Sequence, residues 1–493
     1  MSGQALWTAY EAAAATGGAL GAQGPAARWD APRLPEEDWI ATGLSIDTRT
    51  LSPGDIFVAV ADARDGHDFV GQAFERGAAA ALVARAPEGV PADKPLLIVP
   101  EARGGTMAGL HAMAAAARDR CFGQLVAVTG SAGKTSTKEM LRAALGRAGT
   151  VHAAEASFNN HLGVPLTLAA LPADADYGVF EIGMNHAGEI TPLAGLVRPH
   201  VAIVTTVAAA HLEFFDSVQA IAHAKAEIIS GLRPGGACVL PADNEHFGIL
   251  KREADQRGVR VVQFGETAQG ADAVRLTAYE AGTDGRGGTV RCEVGGKPVR
   301  FALSVPGRHQ AMNALAVIAA CAQAGAPLVK AVEGLEAFRP GAGRGARHEV
   351  ELNGARVILI DESYNANPAS MRAALDVLAA ERPRGHGRRI AVIGDMRELG
   401  ADSRALHAGL AEHVRADRVL TAGDDARALA GALPDAVRGP HADAALDLAG
   451  ELLDDLREGD VILFKGSNAS RVGALVEALL ERADARPGAG GAA

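Results

Sequence analysis

The stretch that most constrains the fold runs from Val126 to Met140, Val-Ala-Val-Thr-Gly-Ser-Ala-Gly-Lys-Thr-Ser-Thr-Lys-Glu-Met. Its β-branched, apolar start reads as a buried strand, Gly130 to Gly133 as a tight turn, and the residues from Lys134 onward as a helix. Strand, glycine loop and helix in that order make a phosphate cradle. Glycines let backbone N–H groups approach an anion, and the helix N-terminus adds partial positive charge. Lys134 can reach terminal phosphates and the Thr135 hydroxyl can ligate Mg²⁺. The full phosphate-loop pattern has a glycine five places before Gly133, where this chain has Val128, so the loop is a shortened Gly-x-x-Gly-Lys-Thr form. The bland alternative, a glycine turn with an incidental lysine, fits the strand and helix context less well. Gly130, Ser131, Ala132, Gly133, Lys134, Thr135 and Ser136 are the candidate nucleotide-phosphate residues.

A chain of 493 residues has room for about three domains. The net charge of −11 argues against nucleic acid or an acidic membrane surface as the main partner, but not against an anion held by a local cradle. Cys121, Cys238, Cys292 and Cys321 are far apart, without metal-ligand spacing or a disulfide framework. They read as dispersed buried thiols of a reducing cytoplasm. No basic segment followed by a long apolar core opens the chain, and the run Ala112 to Ala117 is too short to span a bilayer. A cytoplasmic protein without stable membrane insertion is expected.

The overall expectation is an α/β protein of three domains. Residues 1–111 read as a small α/β unit with strands at Ile56–Val60, Ala81–Val83 and Leu96–Val99. Residues 112–338 alternate strands (Leu125–Val128, Tyr177–Ile182, Val201–Val207, Ala237–Leu240) with helices, which predicts a mostly parallel sheet of P-loop ATPase type. Residues 260–305 are strand-rich with glycine turns, an expected antiparallel appendage, and His309–Ala324 is helical. The Gly- and Pro-rich stretch Phe338–Gly345 reads as a linker into a Rossmann-like α/β unit, 339–493, with strands at Arg356–Ile360, Arg389–Ile393, Arg418–Thr421 and Asp460–Phe464. Arg486–Gly491 reads as a disordered tail.

Ligands on such sheets sit beyond the carboxyl ends of strands. Glu181, at the end of one strand, reads equally as an Mg²⁺ ligand or as a surface or capping carboxylate. His211 follows another strand; a lone His is more often structural, though its place on the same rim narrows that preference. Asp216 with Gln219 resembles a capping box opening the helix that carries Lys225. An ammonium cannot ligate Mg²⁺, and at ~4 Å from another unit positive charge it is repelled by about 4 kcal/mol at an effective dielectric near 20. Spacing alone leaves Lys225 a solvated helix lysine. Asn159 and Asn160 suit sugar or peptide recognition and suit an ordinary turn rather better. The polar run Asp361-Glu362-Ser363-Tyr364-Asn365-Ala366-Asn367-Pro368 at a strand end favours a ligand site.

Together these stretches resemble the Mur ligases, the ATP-dependent amide-forming enzymes of peptidoglycan assembly. The shortened loop, Glu181 in Glu-x-Gly, His211 in Ala-His-Leu-Glu, and Lys225 in Ala-Lys-x-Glu-Ile stand in family order. So do Pro306-Gly307-Arg308-His309 with Asn313-Ala314-Leu315-Ala316, the run Asp361–Pro368, and Gly394-Asp395-Met396-Arg397-Glu398-Leu399-Gly400. Finer cues, among them Asp65-Gly66-His67-Asp68-Phe69, Asn159-Asn160-x-x-Gly163-Val164-Pro165 and Lys138-Glu139-Met140, resemble the branch that adds a D-alanyl-D-alanine dipeptide.

The resemblance implies ATP on the central loop, with its adenosine end near Asn313, Asp361 and Tyr364, and Asn365 beside it. It implies Mg²⁺ held by Thr135, Glu181, His211 and a carbamylated Lys225, in which the modification turns a cation into an anionic oxygen ligand. Lys134, Glu181, His211 and Lys225 would be the catalytic set. Arg344 and Arg347 both lie near the family's linker arginine, and Arg344 is the favoured phosphate contact. The N-terminal unit, including Thr48 and Arg49, would bind the UDP-sugar of UDP-N-acetylmuramoyl-tripeptide, the C-terminal unit would hold D-alanyl-D-alanine, and Asn159, Asn160 and Asn367 would be further substrate-binding residues. The enzyme is expected to act as a monomer. Rival readings are a ligase with another acceptor, a phosphoryl transferase leaving a phosphorylated product, and a nucleotide-binding switch without turnover. The chain departs from the usual pattern at Ala132, near Ala208 and Ala209, and after Lys465-Gly466-Ser467.

Overall fold

The computed structural model describes residues 5–21, 39–62, 64–91, 93–155, 157–282 and 285–484. The tail Arg486–Gly491 lies outside these described residues. Three main sheets organise the chain. In the first, five strands run in the order Ala19–Gly21, Leu96–Ile98, Ala80–Val83, Asp55–Val58, Gly43–Ser45. The last four are parallel and the first is antiparallel to its neighbour.

The central sheet has nine strands. Six parallel strands lie in the order Val151–Ala153, Tyr177–Glu181, Gln124–Thr129, Val201–Val204, Ala237–Pro241, Arg260–Gly265. The expected appendage is a continuation of this sheet. Val274–Ala281 pairs with Arg260–Gly265, and Gly288–Val294 and Lys297–Leu303 add antiparallel strands beyond it. Register puts Glu181 opposite Val128 and Val204 opposite Thr129, so three strand ends form one rim at the glycine loop. The strand expected to reach Val207 ends at Val204.

The period-two alternation of a strand explains how this sheet joins its neighbours. Leu125 and Ala127 point into a core that also contains Trp7, Leu82 and Leu110. Val126 and Val128 point into another with Met140, Phe301 and Leu315. The first core is continuous with the N-terminal unit. Helix Gly105–Arg120 carries that continuity, and the expected boundary at 111/112 falls within it. The Trp7 indole N–H donates to the Ala169 carbonyl at 2.9 Å, tying the N-terminal ribbon to helix Gly163–Ala169.

The C-terminal sheet runs Ala346–Leu352, Ala355–Glu362, Val461–Lys465, Arg389–Gly394, Arg418–Ala422, Arg438–Ala442. Only the first pair is antiparallel, closed by Asn353-Gly354, both at positive φ, the combination a two-residue hairpin turn requires. The four cysteines are buried and free, with burial pushing the Cys292 and Cys321 thiols up to about 12. Among the described residues no helix is long and apolar enough to cross a membrane.

Candidate active site

Gly130 and Gly133 take φ of +151° and +80°. A Cβ at Gly130 would collide with the Thr205 hydroxyl, and one at Gly133 would lie 2.7 Å from the Asn313 amide oxygen. The loop is therefore packed on both sides as well as bent. It is also clamped. Ser131 N–H donates to Thr206, the Ser131 hydroxyl donates to the Ala208 carbonyl at 3.0 Å, and the Thr205 hydroxyl donates to Ala132 at 2.6 Å. Helix Lys134–Leu145 starts at Gly133 with no side-chain cap, leaving its first N–H groups toward the loop.

Lys134 folds back over the loop and donates to the Gly130 carbonyl at 2.9 Å. Burial lowers the pKa of its ammonium, opposed by the charge of Glu181 and reinforced by that of Arg344. The Thr135 hydroxyl donates to Glu181 Oε2 at 2.6 Å, and the Asn159 amide donates to Glu181 Oε1 at 2.8 Å. Glu181 is buried at the strand end, so the capping reading fails and the carboxylate faces the loop.

The loop opens on a cavity of about 640 Å³ lined by both the central and the C-terminal units. Ser131 to Ser136, Asn159, Glu181 and Asn313 line it from one side, and Arg344, Tyr364, Asn365 and Asn367 from the other. The Arg344 guanidinium stacks 3.7 Å above the Tyr364 ring and donates to the Ser157 hydroxyl at 2.8 Å. Arg347 instead forms a buried pair with Glu381 at 2.5 Å, away from the cavity. Of the two arginines, Arg344 lines the cavity. Asn367 caps helix Pro368–Ala380 through its oxygen, and its amide donates to the Ser131 carbonyl at 2.9 Å.

Other expected residues lie elsewhere. Asp361 is buried behind the cavity, with its oxygens accepting from Gly343 N–H at 2.6 Å and the Ser363 hydroxyl at 2.5 Å. Asn160 accepts from Leu162 and Gly163 N–H groups, the ordinary turn role. Thr48 is buried and donates to Gln72 at 2.8 Å, while exposed Arg49 is held by Asp47 at 2.6 Å; both are in the first unit, off this cavity. Helix Val218–Ala226 is capped by Ser217, which accepts from Ala220 N–H, so the expected cap at Asp216 is displaced by one residue.

Lys225 overturns the reading from spacing. It is fully buried, and its Nζ has no hydrogen-bond partner among the described residues. Burial, then the positive charge of Lys134, drive its pKa well below the usual lysine value. A helix position that looks solvated by period lies under the rim once the chain folds. His211 reaches across to the C-terminal unit, Nδ1 lying 2.5 Å from Glu398 Oε2.

Sequence reasoning missed Ser157, His309, Gln310 and Lys465, all lining the cavity. Lys465 donates to the Asn365 carbonyl at 3.0 Å, and burial lowers its pKa. Lys465 stood in a quoted stretch; Ser157 carried no spacing signal at all.

The Thr135 and Glu181 oxygens fit Mg²⁺, which keeps several waters and binds through one or two carboxylates plus phosphates. Among the described residues no cluster of three or more His, Cys, Asp or Glu converges as a ready metal site.

Residues 128–321 match the Mur ligase middle domain, and residues 343–468 match the Mur ligase, glutamate ligase domain. The UDP-N-acetylmuramoyl-tripeptide–D-alanyl-D-alanine ligase of Escherichia coli (strain K12) is 38% identical over 89% of this chain and 93% of its own length. The chain belongs to the Mur ligase family. The Bacillus subtilis (strain 168) ligase of the same name is 32% identical over 90% of this chain and 94% of its own. MurF from Acinetobacter baumannii superposes with a TM-score of 0.80 at 28% identity, covering 96% of this chain and 99% of that one. MurF from Thermotoga maritima, solved in complex with ADP, has a TM-score of 0.73 at 26% identity, covering 90% and 98%. The family's α/β architecture therefore accounts for all three sheets, and this Mur ligase keeps it despite Ala at positions 132, 208 and 209.

Proposed function

We propose that this chain is an ATP-dependent ligase that joins D-alanyl-D-alanine to UDP-N-acetylmuramoyl-tripeptide in the cytoplasm, with Mg²⁺. Units 1–111, 112–338 and 339–493 would hold the UDP-sugar, ATP and the dipeptide respectively. The proposed working form is a monomer. The observation that carries this reading is the cavity shared by the glycine loop with Glu181 and by Arg344 with Tyr364. The printed names of relatives aligned over about nine-tenths of the chain supply the two substrates.

In this reading the triphosphate lies on the N–H groups of the 130–136 loop. Lys134 and Arg344 offset its charge where two anions must meet. An oxygen of the terminal peptide carboxylate attacks the γ-phosphorus, the β–γ bridge bond breaks, and ADP leaves with that electron pair. The dipeptide amine then attacks the acyl-phosphate carbonyl, loses a proton, and phosphate departs. Thr135, Glu181 and His211 would hold Mg²⁺, which supplies charge neutralisation on the transferring group when bound. Closure about the Gly341–Gly345 linker would keep water from the acyl phosphate.

Lys225 fits carbamylation for a physical reason. Burial and the nearby Lys134 charge lower its pKa, which favours the neutral amine whose lone pair attacks CO₂. An N–C bond forms, a proton is lost, and a buried anion results beside the Lys134 cation. The test of the overall reading is phosphate release from ATP with the UDP-tripeptide, with and without D-alanyl-D-alanine. Dipeptide-dependent release of one phosphate per amide formed supports it. Release without amide, or none, overturns it.

A further inference from the structure

The stretch Gly394–Gly400 has no role in the scheme above, yet it reaches the rim of the site. Met396 and Leu399 are buried in the C-terminal core, and the two residues between them are turned outward. Glu398 thereby meets His211 of the central unit, with Oε2 2.5 Å from Nδ1. The backbone is joined as well. Glu213 N–H donates to the Glu398 carbonyl at 3.1 Å, and Gly400 lies against the Glu213 backbone.

Both partners are in the left-handed region, His211 at φ +57° and Glu398 at +63°. They are two of only five such non-glycine residues among those described. Unfavourable backbone of this kind persists where surrounding structure enforces it, and it concentrates at functional sites.

We propose that Glu398 is a positioning residue which, by docking on His211 when the C-terminal unit closes, fixes that imidazole as an Mg²⁺ ligand. This rests on the ligase reading, in which His211 faces the metal. A carboxylate at Nδ1 keeps the ring proton there and leaves the Nε2 lone pair for the metal. Nε2 has no hydrogen-bond partner among the described residues. Because the carboxylate comes from a different unit than the ring, the metal site is complete only in the closed arrangement. That makes metal affinity a reporter of closure.

The test uses the full chain and Mn²⁺ as probe, titrated by the loss of free-ion spectroscopic signal in the presence of a non-hydrolysable ATP analogue. Wild type is compared with Glu398→Gln, which preserves size, and Glu398→Ala, with circular dichroism checking the fold. Small-angle scattering reports closure. Mn²⁺ affinity is expected to fall about 10- to 100-fold in both variants, the range seen when an outer partner of a ligating His is removed. Unchanged Mn²⁺ affinity overturns the proposal. So does a variant that opens in scattering while binding Mn²⁺ like wild type, since the contact is then a clasp alone. Wild-type ligation is measured alongside. Its absence sinks the ligase reading, whereas intact wild-type ligation with unaltered metal affinity in the variants sinks only the role of Glu398.

Discussion

The Asn367 side-chain amide donates to the Ser131 carbonyl at 2.9 Å, while its oxygen caps helix Pro368–Ala380. One residue thus ties the C-terminal unit to the phosphate loop of the central unit. Asn367→Asp keeps a capping oxygen but sets an anion against a carbonyl. A lost or repulsive hydrogen bond of about 1–3 kcal/mol corresponds to roughly 5- to 150-fold. The expected outcome is a fall of that size in kcat/KM for ATP with little change in Tm, measured by steady-state kinetics and calorimetry.

Glu181 accepts from both Thr135 and Asn159. Glu181→Gln preserves size and removes the charge a divalent ion needs. Turnover is expected to fall by about 100-fold or more, the size of losing an electrostatic stabiliser at a reacting centre. Raising Mg²⁺ should restore little of it, and circular dichroism should show an unaltered fold.

Arg344 and Arg347 make opposite predictions. Arg344 is on the cavity, so Arg344→Ala should weaken nucleotide binding in a calorimetric titration while leaving unfolding nearly unchanged. Arg347→Ala strands Glu381, which is 7% exposed. Breaking a buried pair costs about 3–5 kcal/mol. Its signature is a large loss in denaturant midpoint, with nucleotide affinity intact wherever the fold persists.

Lys225→Ala should nearly abolish turnover, with partial rescue by a short carboxylic acid that replaces the carbamate oxygens. Labelled ¹³CO₂ should give a carbamate carbon resonance in wild type and none in the variant. Near-normal turnover in Lys225→Ala would remove the carbamate from the scheme.

Asp47 is held at about 2 by hydrogen bonds from the Arg49 side chain and backbone. A depressed carboxyl pKa contributes stability above its unfolded value, and that contribution fades as pH falls through the folded one. Arg49 should therefore lose its anchor between pH 4 and pH 2, near the values 3.8 and about 2. Carboxyl NMR titration should show Asp47 returning toward 3.8 in Arg49→Ala.

Much of the fold was legible because strand and helix periods are local. The run Val126–Val128, the helix from Lys134 and the linker near Gly341 needed no tertiary information. The strand Ala346–Leu352 was missed although Asn353-Gly354 marks its hairpin, because Val350 and Leu352 are its only large apolar residues and only Leu352 is buried. The site was legible where one segment carries it, as in the 130–136 loop. It was not legible where distant segments meet. Ser157 matters through Arg344 and Glu398 through His211, partners that only the folded chain supplies. Lys225 was misread for the same reason, since burial by other elements leaves no trace in helical spacing.

The most direct measurement is mass spectrometry of the nucleotide-linked product after incubating the purified chain with ATP, Mg²⁺, UDP-N-acetylmuramoyl-tripeptide and D-alanyl-D-alanine. The account predicts a species heavier than the tripeptide precursor by one dipeptide less one water, formed in step with ADP. ADP without that species, a stable phosphorylated peptide in its place, or no consumption of ATP would contradict it.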